Sequence, residues 1–100
     1  MMVEVKNLNG TSEERYSKPK GYSSWLEYWE AESIFSIPNE CACDGCLNEV
    51  NVGAHVKKTT NDNKWYVVPL CYKCNKKPKS FEVDENLLVK VNNQDVTFLI

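Results

Sequence analysis

The cysteines of this chain fall in two tight knots, CACDGC from Cys41 to Cys46 and CYKC from Cys71 to Cys74, and nothing else in the sequence restricts its fold as strongly. There are five of them, so at least one is left out of any disulfide scheme. In a reducing compartment thiols stay reduced, which makes metal binding the favoured use. Two ligands from each of two short turns is the layout of a tetrahedral site that prefers thiolates, and the reading is one structural Zn2+ ion. Cys71 and Cys74 pair naturally, since two intervening residues let both sulfurs face one ion. Cys46 joins them. The fourth ligand is Cys43, with a two-residue gap, or Cys41, with a four-residue gap. Both spacings occur in zinc sites, and spacing alone tilts slightly toward Cys43.

A staple of this kind suits the length. A chain of 100 residues holds one core, and a domain of that size buries only a little over roughly 60% of its unfolded surface. No apolar run approaches a membrane span, and the opening MMVEVKNLNG lacks the apolar stretch of a signal peptide. The expectation is a cytoplasmic protein with no membrane association and no small-molecule cofactor.

Residues 1–22 are polar, with Pro19 and Gly21, and read as a tail along the surface in which Thr11 and Glu14 can cap a single turn. Residues 23–100 form the single zinc-binding domain. Ser24 with Glu27 makes a capping box, and Trp25, Tyr28 and Trp29 follow along one helical face, so a short aromatic helix is expected to end before Pro38. From Val50 the period drops to two. Val50, Val52, Ala54 and Val56 point one way while Asn51, Gly53, His55 and Lys57 point the other. Turn formers at 59–63 then lead to WYVVPL, Trp65 to Leu70, predicting an antiparallel hairpin that brings the two knots together. After Cys74 a helix runs only briefly because of Pro78, and LLVKV, NNQD and VTFLI read as a C-terminal hairpin.

The charge is segregated. Residues 55–80 carry seven lysines against one acid, Asp62, a balance of +6 inside a chain whose net charge is −2. Lys57, Lys58, Lys64, Lys73, Lys76, Lys77 and Lys79 can neutralise phosphates or meet an acidic protein surface, and Trp65 and Tyr66 can stack on bases. The plainer alternative is a solvated hairpin, with Trp65 alternating as a core residue should. His55, the one histidine, has three readings: a structural residue hydrogen-bonded beside the zinc, the general base of a nuclease, or a ligand or binding contact.

At GAHV (Gly53 to Val56) followed by WYVVPLCYKCN (Trp65 to Asn75), the chain resembles HNH-type treble-clef zinc proteins over about residues 41–77. It is also similar to a group of small uncharacterised proteins with the pattern SWLxxW, C-x4-C, GAHV and WYxxPLCxxCN, met here by SWLEYW, Cys41 to Cys46, GAHV and WYVVPLCYKCN. That resemblance implies a small zinc-stabilised treble-clef α+β fold with an N-terminal aromatic helix, and it implies Cys41 as the fourth ligand. It does not carry nuclease activity with it. Active HNH enzymes have an acidic metal ligand where this chain has Ala54, and a further metal-binding residue in the helix where only Asn75 remains. Together with the lysine-rich hairpin, this leads to the expectation of a catalytically degenerate zinc-finger binding module for nucleic acid or an acidic protein surface, for which small size and acidic flanks suit an inhibitor-like role; the alternative is an HNH-like endonuclease using His55.

Overall fold

The two-residue period at Val52, Ala54 and Val56 builds strand β3 (Val52–Lys58), which pairs antiparallel with β4 (Tyr66–Leu70), Val52 opposite Leu70 and Val56 opposite Tyr66. The connecting turn is tied by Asp62, whose carboxylate accepts from the Lys64 N–H at 3.1 Å and the Tyr66 hydroxyl at 2.8 Å. Asn63 takes the left-handed backbone conformation there, φ 57°, which asparagine tolerates. The computed structural model describes residues 1–8, 16–60, 62–91 and 96–98. The single turn expected at Thr11–Glu14 and the NNQD turn at 92–95 lie outside the described residues.

The N-terminal segment departs from the sequence reading. Residues 2–7, expected within a polar surface tail, form strand β1 (Met2–Asn7), hydrogen-bonded on one side to β3 and on the other to β5 (Phe81–Asp84). The physical reason lies in the alternation of MVEVKN: Val3 and Val5 turn inward opposite Val83 and Phe81, whereas Glu4 and Lys6 point out. The average polarity of residues 1–22 conceals this pattern. The sheet is completed by β6 (Val89–Lys90) beside β4, in the order β5-β1-β3-β4-β6.

A second correction concerns the C-terminus. Strand β6 and strand β7 (Val96–Phe98) do not form a hairpin with each other. β6 pairs with β4, and β7 pairs with β2 (Tyr16–Pro19) in a separate two-stranded sheet. A 3₁₀ turn, Glu85–Leu87, joins β5 to β6.

Both faces of the central hairpin are covered. Helix α1 (Trp25–Glu32) starts where the capping residues predict: Ser24 accepts from the Glu27 N–H at 3.1 Å, and Glu27 turns its carboxylate back to the Ser23 hydroxyl. Its buried face of Trp25, Tyr28 and Trp29 packs with Val67 and Val91. Trp29 also donates from Nε1 to the Leu87 carbonyl at 2.8 Å. The helix sits hard on β3 at Gly53, where a Cβ would fall 2.5 Å from the Trp25 carbonyl carbon. On the other face Val5, Ala54, Val56, Val68, Leu70, Phe81 and Val83 cluster with Cys41, Cys43, Cys71 and Cys74. The result is a small α+β fold with an antiparallel sheet between an aromatic helix and the cysteine knots. No helix among the described residues is long and apolar enough to cross a membrane.

Candidate metal centre

The first knot is held by backbone bonds that the sequence CACDGC makes possible. Cys41 N–H donates to the Asn48 carbonyl at 2.7 Å, Ala42 N–H to Pro69 at 2.9 Å, and Asp44 N–H to Glu82 at 2.9 Å, so the loop is pinned to β4 and β5. Cys46 N–H closes the turn on the Cys43 carbonyl at 3.0 Å, with Gly45 at φ +80°, a conformation that side chains resist. The second knot follows directly from β4. Cys71 caps helix α2 (Tyr72–Asn75), and its sulfur accepts from the Cys74 N–H at 3.4 Å.

These two anchorages converge. The Sγ atoms of Cys41, Cys46, Cys71 and Cys74 all lie within 4.8 Å of one another, with Cys41, Cys71 and Cys74 buried and Cys46 half-buried. Four sulfurs about 2.3 Å from a tetrahedral ion stand about 3.8 Å apart along each edge, and Cys46 and Cys71 are 3.9 Å apart. That separation fits a shared ion and is far too long for a disulfide. All five cysteines are free thiols. The group can hold a metal ion.

Cys43 stands outside this quartet. It is buried, and its sulfur accepts from Lys77 Nζ at 3.3 Å, a contact that holds the lysine pKa above its ordinary value. The two-residue gap favoured by spacing alone is therefore not the one that joins the sulfur cluster.

Ionisation is uneven across the quartet. Burial pushes the Cys41 thiol up to about 11 and pushes Cys74 up as well. Burial also opposes ionisation of Cys71. There the hydrogen bonds from the Cys74 N–H, and from Asn48 Nδ2 at 3.6 Å, outweigh it and bring the thiol down to about 6. One thiolate is poised to form by itself; four together require the charge of a bound cation.

His55 lies away from this centre. It is on the face of β3 opposite Ala54 and Val56, with its ring 4.6 Å from Trp25 and 5.0 Å from Trp65, both edge-to-face. It is 8% exposed, and burial lowers its pKa to about 4, so the imidazole is neutral near pH 7. The expected place beside the zinc is thus replaced by one between two indoles.

Two of the seven lysines are engaged within the fold. Lys58 is paired with Glu85 at 3.0 Å and lies 5.2 Å from the Tyr66 ring centroid, while Lys77 is taken by Cys43 and sits over Phe81. Lys57, Lys64, Lys73, Lys76 and Lys79 are exposed. Of the proposed stacking residues, Tyr66 is buried with its hydroxyl on Asp62, and Trp65 is half-buried against Trp25 and His55. Two residues that sequence reasoning missed are Lys6, which the register places directly opposite Lys57, and Tyr72, a large apolar residue left 59% exposed. Lys6 was legible in the alternation of β1; Tyr72 carried no signal beyond its place after a ligand. No protein-family model matches the chain, and no match is found among curated proteins or solved structures.

Proposed function

We propose that this chain is a small binding module of treble-clef type, stapled by one structural zinc ion, that engages an anionic macromolecule through its unpaired lysines and lacks the hydrolytic chemistry of HNH proteins. The observation that carries the reading is the convergence of four cysteine sulfurs within 4.8 Å. A turn-borne pair, a hairpin and a helix capped by the third ligand is the order of elements that such folds use, and four thiolates in a tetrahedral set select zinc or iron, with zinc the structural choice. When bound, the ion supplies cross-linking of the two knots; the residues do the rest. Cys71, with its lowered pKa, provides the first thiolate, and Asn48 orients it.

Hydrolysis has no support from the geometry. The one histidine is neutral, enclosed by Trp25 and Trp65, and on the sheet face away from the sulfurs, and its neighbour Ala54 offers no metal ligand. Metal-binding thiols suit a reducing compartment, so we assign the protein to the cytoplasm. The test is elemental analysis of freshly purified protein, followed by incubation with single- and double-stranded DNA and RNA in magnesium, manganese or nickel. Zinc at one ion per chain and intact nucleic acid are expected. Absence of zinc overturns the module, and cleavage lost in His55→Ala establishes the endonuclease instead.

A further inference from the structure

Helix α2 differs from the rest of the lysine-rich region in pairing free cations with an exposed ring. Lys73, Lys76 and Lys79 are exposed, and no carboxylate among the described residues forms an ion pair with them. Tyr72 opens the helix. Its N–H donates to Asn51 Oδ1 at 3.0 Å, which fixes the backbone at the root of the side chain, while the residue as a whole stays 59% exposed. Lys76, four residues on, caps the C-terminal end of the helix, and Lys73 directly follows Tyr72 in the chain. The cysteine cluster anchors this arrangement in sequence, since Cys71 and Cys74 bracket Tyr72 and Lys73.

We infer that the α2 face binds single-stranded nucleic acid, one base stacking on Tyr72 and the neighbouring phosphates lying against Lys73, Lys76 and Lys79. The inference rests on the binding-module reading and names its partner. A single strand is favoured over a duplex for three reasons. Its bases expose the π-faces that a ring can stack on. The four-residue helix is too short to fill a major groove. The basic block holds no arginine for bidentate reading of base edges. A protein partner is less well matched, because the residues that follow Tyr72 in the chain, Lys73, Asn75 and Lys76, are polar or charged, whereas the cores of protein interfaces are depleted of lysine.

The probe is a fluorescent oligothymidylate of about 12 nucleotides, titrated with zinc-loaded protein by anisotropy at about 50 mM salt. Tyr72→Ala is expected to weaken binding about 5- to 150-fold, and Tyr72→Phe to retain it. Because the ring is exposed, zinc content and thermal midpoint should stay unchanged in both. Lys73→Gln with Lys76→Gln should lower the slope of log affinity against log salt by up to about 1.4, while Lys57→Gln with Lys64→Gln leaves it in place. Indifference to Tyr72→Ala, preference for a duplex of the same sequence, or no binding overturns the inference. If the zinc-loaded protein ignores the oligonucleotide yet binds polyglutamate, the partner is an acidic protein and the module survives; a chain without zinc removes the module itself.

Discussion

Asn7, at the end of the first strand, donates from Nδ2 to the carbonyl of Cys74 at 2.8 Å, a buried bond between the sheet and the second cysteine knot. A second bond from the same amide reaches the Lys77 carbonyl at 3.1 Å. One side chain from β1 thus fixes the exit of α2 relative to the sheet. Asn7→Ala leaves two carbonyls short of a donor, and the expected loss of stability is about 1–3 kcal/mol. Urea denaturation checks it, and the variant should also surrender its metal to a chelator at a lower concentration than wild type.

The five cysteines should separate cleanly on substitution. Ser at Cys41, Cys46, Cys71 or Cys74 removes a ligand and is expected to abolish stable folding, because in such sites metal affinity and folding free energy are the same quantity. Cys43→Ser should keep the metal. Zinc stoichiometry and circular dichroism of the five variants decide the matter, and metal loss in Cys43→Ser with retention in Cys41→Ser would falsify the assignment.

Gly53 is required by contact and not by backbone conformation. Its missing Cβ is the space occupied by the backbone of Trp25 and Leu26. Gly53→Ala forces α1 off the sheet and should cost about 1–3 kcal/mol or more, visible as a lower thermal midpoint with disturbed tryptophan fluorescence.

His55 gives the stability a pH signature. Its folded pKa of about 4 lies below the ordinary 6.5, so the unfolded chain takes up the proton first as pH falls. This stability is fully present above pH 6.5 and shrinks on acidification, by about 1 kcal/mol at pH 5.5 and about 3 kcal/mol at pH 4. His55→Gln should lose this component while keeping the acid sensitivity of the thiolates. Urea midpoints of the two proteins between pH 7.5 and 5.5 measure the difference.

What the sequence made legible was local. The capping pair Ser24 and Glu27 and the spacing of Trp25, Tyr28 and Trp29 located α1 and its buried face. Alternation at Val52, Ala54 and Val56 and at Tyr66, Val68 and Leu70 located the hairpin. Strand partnership was not legible. Val89 pairs with Val67 and not with the strand that follows it, because a short β6 gains more against the covered edge of β4 than in an isolated hairpin. β1 was missed although Val3 and Val5 alternate with Glu4 and Lys6, since its two partners lie far away in the chain. Spacing alone tilted toward Cys43 in CACDGC, yet Cys41 joins the other three sulfurs; the hydrogen bonds to Asn48, Pro69 and Glu82 that set the path of this loop are invisible in the sequence.

The position of β1 between β3 and β5 also governs what the sheet shows to other molecules. One six-residue strand covers an edge of β3 through the register at Lys58 and an edge of β5 through the register at Phe81. Without it both would present unpaired N–H and C=O groups, a template for pairing with other chains. The segment whose average polarity disguises it in the sequence is thus the guard that keeps these two edges from adding strands of neighbouring molecules.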